Sequence, residues 1–255
     1  MVRVFTPELV DRVVDEVGVR EQRKRALPAR VVVYYLLVMV LFFQSSYGEV
    51  WNKLVAGLEW AKRVQVRLAL GMQPTPAAIT SARGRLGWRV MAALMEQVAG
   101  PLAGRESPSV FVSGMRLVAV EGMCLDVADT PENGGEFGYP GNDERRGSFP
   151  QVRVVGLGEC GTRAVLGASC SPLATGEQAL TRGLLGRLPR GDLLLADRNF
   201  LFHGLLKDVL DAGVHVLWRA KSDISLPVLE VLGRWHLPLP DRGARPRPAD
   251  APEGR

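Results

Sequence analysis

Two acids in this sequence stand where apolar runs give out. Asp197 follows Leu193-Leu194-Leu195-Ala196, and Glu121 follows Met115-Arg116-Leu117-Val118-Ala119-Val120. Short apolar runs of this kind suit central strands, and open α/β sheets gather ligands at the carboxyl ends of their strands. If the two strands are neighbours, two hard oxygen ligands emerge at one sheet end. That donor set suits Mg²⁺, and two such ions can assist in-line phosphoryl transfer. The plainer alternative is that acids end strands because they face solvent. Asp126 and Asp129 read as solvated loop acids, while His203, His215 and His236 lack ligand spacing and read as structural. Cys124, Cys160 and Cys170 form no C-x-x-C pair and are odd in number. They read as small core residues in a reducing cytosol rather than a zinc site or a disulfide framework.

The elements that must position these acids follow from periodicity. Thr6-Pro7-Glu8 opens a helix, Thr as cap, Pro in the first turn and Glu at the positive dipole end. Leu9, Val10, Val13, Val14 and Val17 continue it at helical spacing to Gly18. Arg30 to Phe43 reads as a strongly apolar helix, Val50-Trp51…Leu54-Val55 as another, Pro76 to Leu86 as a short one, and Trp88 to Val98 as a fifth. From 105 onward the pattern changes to strands: 115–120, 152–155, 163–168, 193–196 and 214–218. Asp129 to Ser148 reads as a loop, and Glu159-Cys160-Gly161-Thr162 as a hairpin turn. Thr175-Gly176-Glu177-Gln178 has capping-box spacing ahead of a helix, and Phe200 to Leu210 is a second amphipathic helix. The expected architecture is α/β: an all-α part over 1–105, then a mixed sheet over 106–232 in the order β-β-β-α-β-α-β. Residues 233–255 hold five prolines and five arginines with almost no apolar face, and are expected to be disordered.

Composition and charge narrow the function. The 255 residues are 47% hydrophobic and 23% charged, which excludes wholesale disorder. The longest apolar run, Val31 to Phe43, has 13 residues, short of the roughly 18 that cross a bilayer. The N-terminus has no signal-peptide pattern, so a cytoplasmic protein without membrane contact is expected. The net charge of +5 is uneven. Residues 1–105 carry 15 Lys/Arg against 8 Asp/Glu, a surplus of 7, while the rest carry 17 against 19. That basic first part suggests a nucleic-acid grip, with Arg20, Arg23, Lys24, Arg25 and Arg30 as its cluster. Arg198, Arg219 and Lys221 flank the expected sheet end and could meet phosphates.

A series of collinear motifs then makes the sequence similar to a known family. They are Ala119-Val120-Glu121-Gly122…Leu125-Asp126-Val127-Ala128-Asp129-Thr130-Pro131-Glu132-Asn133, Ser148-Phe149-Pro150-Gln151-Val152-Arg153, Glu159-Cys160-Gly161-Thr162, Thr175-Gly176-Glu177-Gln178, Leu193-Leu194-Leu195-Ala196-Asp197-Arg198 and Leu217-Trp218-Arg219-Ala220-Lys221-Ser222. Together they resemble bacterial insertion-sequence-4 type transposases. Pro76-Ala77-Ala78-Ile79-Thr80 and Arg83…Arg85-Leu86-Gly87 resemble that family's N-terminal helical domain. The resemblance runs from about Thr6 to Glu230.

The resemblance implies a ribonuclease-H-like catalytic core that uses two aspartates and a glutamate (the DDE triad) to hold two Mg²⁺ ions. Its reaction is DNA cleavage and strand transfer in transposition, with transposon ends and target DNA as partners and no small-molecule substrate. A homodimer is left open. Asp197 matches the second aspartate. Glu121 occupies the position of the first, in E-G-M-C-L-D where the family has D-G-T-x-L-D. The helix carrying the third acid, Y-x-x-R-x-x-x-E-x-x-x-x-x-x-K, has no match here. The expectation is therefore a core truncated at its C-terminus and catalytically degenerate, as a shifted or interrupted reading frame would leave. The alternatives are a non-catalytic DNA-binding or inhibitory fragment, and an active nuclease with Glu177 as a substitute third acid.

Overall fold

The computed structural model describes residues 1, 3–23, 25–58, 73–104, 106–141, 145–222 and 224. The chain divides into two units, Met1–Arg219 and Ala220–Arg255. In the second, the Ile224 N–H donates to the Lys221 carbonyl at 3.1 Å. The stretch 233–255, expected to be disordered, lies outside the described residues.

Among the described residues five helices begin the first unit: α1 (Pro7–Glu16), α2 (Ala29–Leu41), α3 (Tyr47–Leu58), α4 (Pro76–Leu86) and α5 (Trp88–Val98). Their ends follow local chemistry. The Thr6 hydroxyl accepts from the Leu9 N–H at 3.3 Å, Thr75 caps α4 in the same way, and Gly87 at φ +70° closes α4. Ser46 and Glu49 cap α3 reciprocally, each accepting from the other's backbone N–H. The α2 helix is apolar almost all round because it is the hub. Val31, Val32, Val33, Tyr34, Tyr35 and Val38 are buried against Val10, Val13, Val14, Val50, Leu54, Ile79, Val90 and Leu94. Burial pushes the Tyr34 phenol up to about 12, and its O–H donates to the Phe5 carbonyl at 2.7 Å.

A six-stranded sheet follows: β1 (Phe111–Val112), β2 (Met115–Asp126), β3 (Gln151–Glu159), β4 (Val165–Pro172), β5 (Leu193–Ala196) and β6 (His215–Trp218). Its main path runs β4-β3-β2-β5-β6, and β1 pairs only with β2. β3 is antiparallel to β2 and β4, while β5 and β6 run parallel to β2. This is the ribonuclease-H-like arrangement of a mixed sheet. On one sheet face Val118, Val120, Val155, Leu157, Leu166 and Leu194 are at most 2% exposed. They pack under Leu180 and Leu184 of α7 (Glu177–Leu184) and Leu205 and Val209 of α8 (His203–Asp211).

Several features differ from the sequence expectation: β1 lies outside it, and Cys124 and Cys170, expected as core residues, are exposed because they lie on the β2 and β4 stretches outside the buried cluster. β2 does not stop at Glu121; its ladder with β3 continues to Asp126 opposite Gln151, because both strands keep pairing where neither apolar run extends. The loop after Asp129 contains α6 (Pro131–Phe137), capped by the Thr130 hydroxyl and closed by Gly138 at φ +77°. The Thr175 capping box does not form. Gly176 is the cap residue, and the Ser171 and Thr175 hydroxyls bond each other at 2.8 Å.

The backbone 99–104 joins the helices to the sheet. The Gly100 N–H donates to the Val165 carbonyl at 3.1 Å, and Arg187 pairs with Glu96 of α5. The Leu102 and Ala103 N–H groups donate to the Glu159 carboxylate at 3.2 and 3.0 Å. Glu159 is 1% exposed and also accepts from Arg116 and the Thr162 hydroxyl. Burial alone would raise this carboxyl, but those four donors together hold it below the usual range.

Candidate functional site

The parallel ladder between β2 and β5 pairs Leu117 with Leu193, Val118 with Leu194 and Ala119 with Leu195. Two further residues along each strand set Glu121 level with Asp197, just past the end of β5. Neighbouring strands lie about 4.8 Å apart. The register therefore sets the two sequence-nominated acids level at one sheet end, and both residues are exposed.

The turn that carries Asp197 is well anchored. The Phe200 N–H donates to the Asp197 carbonyl at 3.0 Å, and the Phe200 ring is buried. Gln178 of α7 donates through Nε2 to the Asn199 carbonyl at 3.1 Å, and the Arg219 N–H donates to the Ala196 carbonyl at 3.1 Å. Arg198 and Arg219 are exposed beside Asp197 in this sheet-end region. Lys221 is exposed in the second unit.

Strand alternation separates Glu177 from this pair. An added Cβ at Gly122 would lie 2.6 Å from the Glu177 carboxyl carbon, so Gly122 faces α7. Glu121, one residue earlier in an unbroken ladder, faces the other side of the sheet. Glu177 instead pairs with Arg153 at 3.6 Å, and Arg153 Nε is buried without a hydrogen-bond partner. Asp126 accepts from Gln151 at 2.8 Å and Asp129 from the Tyr139 hydroxyl at 2.6 Å, so both serve local structure. Among the described residues no group of three or more His, Cys, Asp and Glu could hold a metal ion. Two carboxylates suit an oxygen-loving cation, but they fall short of the acid set that two Mg²⁺ ions need.

The basic cluster is split by its partners. Arg20 bonds Asp15 and the Asp11 carbonyl, and Arg30 bonds Asp11, with Nε to Oδ1 at 2.6 Å. The Arg20 hydrogen bond, against slight desolvation, holds Asp15 below the usual carboxylate range. Glu21 accepts from the Ala29 N–H at 3.0 Å and so caps α2, whose own cap residue, Pro28, offers no side chain for it. Arg23 and Arg25 are exposed, with no ion pair among the described residues. Lys24 lies outside the described residues. Arg20, Arg23, Arg25 and Arg85 border one groove of about 460 Å³ between this loop and α4. Arg85 was absent from the sequence-based cluster, being sixty residues away from Arg25; its place in an R-x-R on an otherwise neutral helix was the available signal.

No helix among the described residues is long and apolar enough to cross a membrane. Residues 1–96 match the family described as Insertion element 4 transposase N-terminal. The chain is 27% identical over 214 residues to the transposase InsG for insertion sequence element IS4 of Escherichia coli strain K12, covering 83% of this chain and 46% of that protein. It is 26% identical over 158 residues to the putative transposase InsZ of the same strain, covering 61% of this chain and 53% of that protein. The chain thus spans about half the length of these curated relatives.

Proposed function

We propose that this chain, similar over residues 1–96 to the insertion element 4 transposase N-terminal family and more widely to the two transposases above, grips duplex DNA and carries two acids of a strand-cleavage site without cutting. The observation that carries the reading is the β2–β5 register, which sets Glu121 level with Asp197 at one sheet end. Such a pair at the carboxyl end of a central strand is where phosphoryl-transfer chemistry is built. Glu121 is one methylene longer than the family's aspartate, and a site that must be held within about 0.5 Å does not absorb that. A third acid is missing from the described residues, and no cleavage step is assigned to the chain.

DNA contact in this reading falls to Arg23, Lys24, Arg25 and Arg85 at the groove, with Arg198, Arg219 and Lys221 meeting phosphates farther along the chain. Arg20 and Arg30 are held by aspartates and shape the loop instead. In this reading the chain occupies DNA without cutting it. The test is a supercoiled plasmid carrying the element's ends, incubated with the full chain and Mg²⁺. Retarded but unnicked plasmid is expected. Mg²⁺-dependent nicking that disappears in Asp197→Ala would overturn the non-cutting reading.

A further inference from the structure

Trp88 is the first residue of α5 and is 74% exposed. An exposed indole offers a flat, amphipathic ring on which another flat group can stack. Its position is fixed rather than accidental. Gly87 adopts φ +70° between α4 and α5, and Leu86 and Val90 on either side are buried, which turns the intervening indole outward.

The surroundings of the indole say what it would meet. Arg83 and Arg85 in the last turn of α4, and Arg89 next to Trp88, are all exposed. The Arg89 guanidinium lies 5.9 Å from the Trp88 ring centroid. Among the described residues Arg83 and Arg85 bond neutral hydroxyls, those of Tyr47 at 3.3 Å and Ser81 at 3.1 Å. From Gln73 to Met95 the sequence contains no Asp or Glu, and Glu96, which follows, is paired with Arg187. The face is thus one flat ring among arginines that make no ion pair among the described residues.

The matching ligand is anionic and carries a flat unsaturated face, which describes a nucleobase on a phosphodiester chain. A base inside a paired duplex has both faces already stacked. We infer that Trp88 stacks on an unpaired DNA base while Arg85 and Arg89 hold the flanking phosphates. The inference rests on the DNA-binding reading above and adds preference for a locally unpaired strand.

The experiment compares the full chain on two labelled DNAs of the same sequence and length, one fully paired and one with a central unpaired thymine stretch. The unpaired DNA should bind about tenfold more tightly and quench tryptophan fluorescence, a range set by stacking of one base. Trp88→Ala should lose that preference while keeping its affinity for paired DNA, and Trp88→Phe should retain part of it. The side chain is exposed, so neither substitution threatens folding. Equal wild-type affinity for both DNAs, or a preference that survives in Trp88→Ala, overturns the inference while leaving the DNA-binding reading intact. Failure to bind either DNA overturns both.

Discussion

Replacing Glu159 by Ala removes one carboxylate that four donors share. The Leu102 and Ala103 N–H groups lose their acceptor, the Thr162 hydroxyl loses a partner, and Arg116 is left facing Asp192 at 3.9 Å. Removing one member of a buried ion pair costs about 3–5 kcal/mol, because the remaining charge stays desolvated. Two features push this case to the lower end. Asp192 remains near Arg116, and the exposed Leu102 lets water reach its amide. The expected loss is therefore about 3 kcal/mol, or a fall of roughly 6–12 °C in Tm for a domain of this size. Urea unfolding followed by far-ultraviolet circular dichroism reads the loss directly, with an unchanged m-value showing that only the native state was affected. Hydrogen exchange should also speed up over 100–104, where the carboxylate pins the backbone. A loss below about 1 kcal/mol, with exchange unchanged there, would refute the claim that Glu159 ties the helices to the sheet.

Other outcomes follow from neighbouring groups. Glu159 is held below its usual range, so its contribution is present above the ordinary carboxylate pKa and lost as pH falls through the folded value. Asp192 is raised by burial, a shift that Arg116 opposes and Glu159 adds to, so its contribution is present at low pH and lost as pH rises through the folded value. Glu159→Gln should accordingly show a shallower acid limb of stability than the wild type in a pH series of urea melts. Gly122→Ala should cost about 1 kcal/mol through the approach of Glu177, and a double-mutant cycle with Glu177→Ala should remove most of that cost. Leu194→Ala, at a side chain fully buried under α7 and α8, should cost about 2–5 kcal/mol by thermal unfolding. Glu121→Asp alone should leave plasmid un-nicked in Mg²⁺, since it adds no third acid.

What the sequence disclosed was what is encoded locally. Thr6, Thr75 and Gly87 announce helix ends because caps act within one turn, and the span Trp88–Val98 could be read to the residue. Apart from β1 and α6, the order of strands β2 to β6 with α7 and α8 was legible because each of those strands holds a short apolar run between turn residues. What escaped was non-local. Nothing near Gly122 signals that β2 continues to Asp126, because that continuation depends on β3 some thirty residues later. Glu159 read as a turn residue, although an arginine inside the apolar run 115–120 hinted at a buried partner. The spacing of Thr175 to Gln178 fitted a cap, but Thr175 is engaged with Ser171 and Gln178 holds the turn of Asp197 instead. The pairing of Glu121 with Asp197 could be anticipated only on the condition that their strands were neighbours, and the parallel ladder supplies that condition. Likewise, the basic cluster was visible as a run of arginines, while its division between aspartate-held and free members depends on Asp11 and Asp15 in α1.

The central claim, that this chain holds DNA by its basic helical part, is tested most directly by the salt dependence of duplex binding. Fluorescence anisotropy of a labelled duplex with the full chain should show affinity falling steeply and log-linearly as salt rises. Replacing Arg23 and Arg25 together by Ala should flatten that slope by about two units, at roughly 0.9 for each phosphate that is no longer neutralised. A chain that binds duplex DNA with no salt dependence, or whose slope is the same without Arg23 and Arg25, would contradict the account.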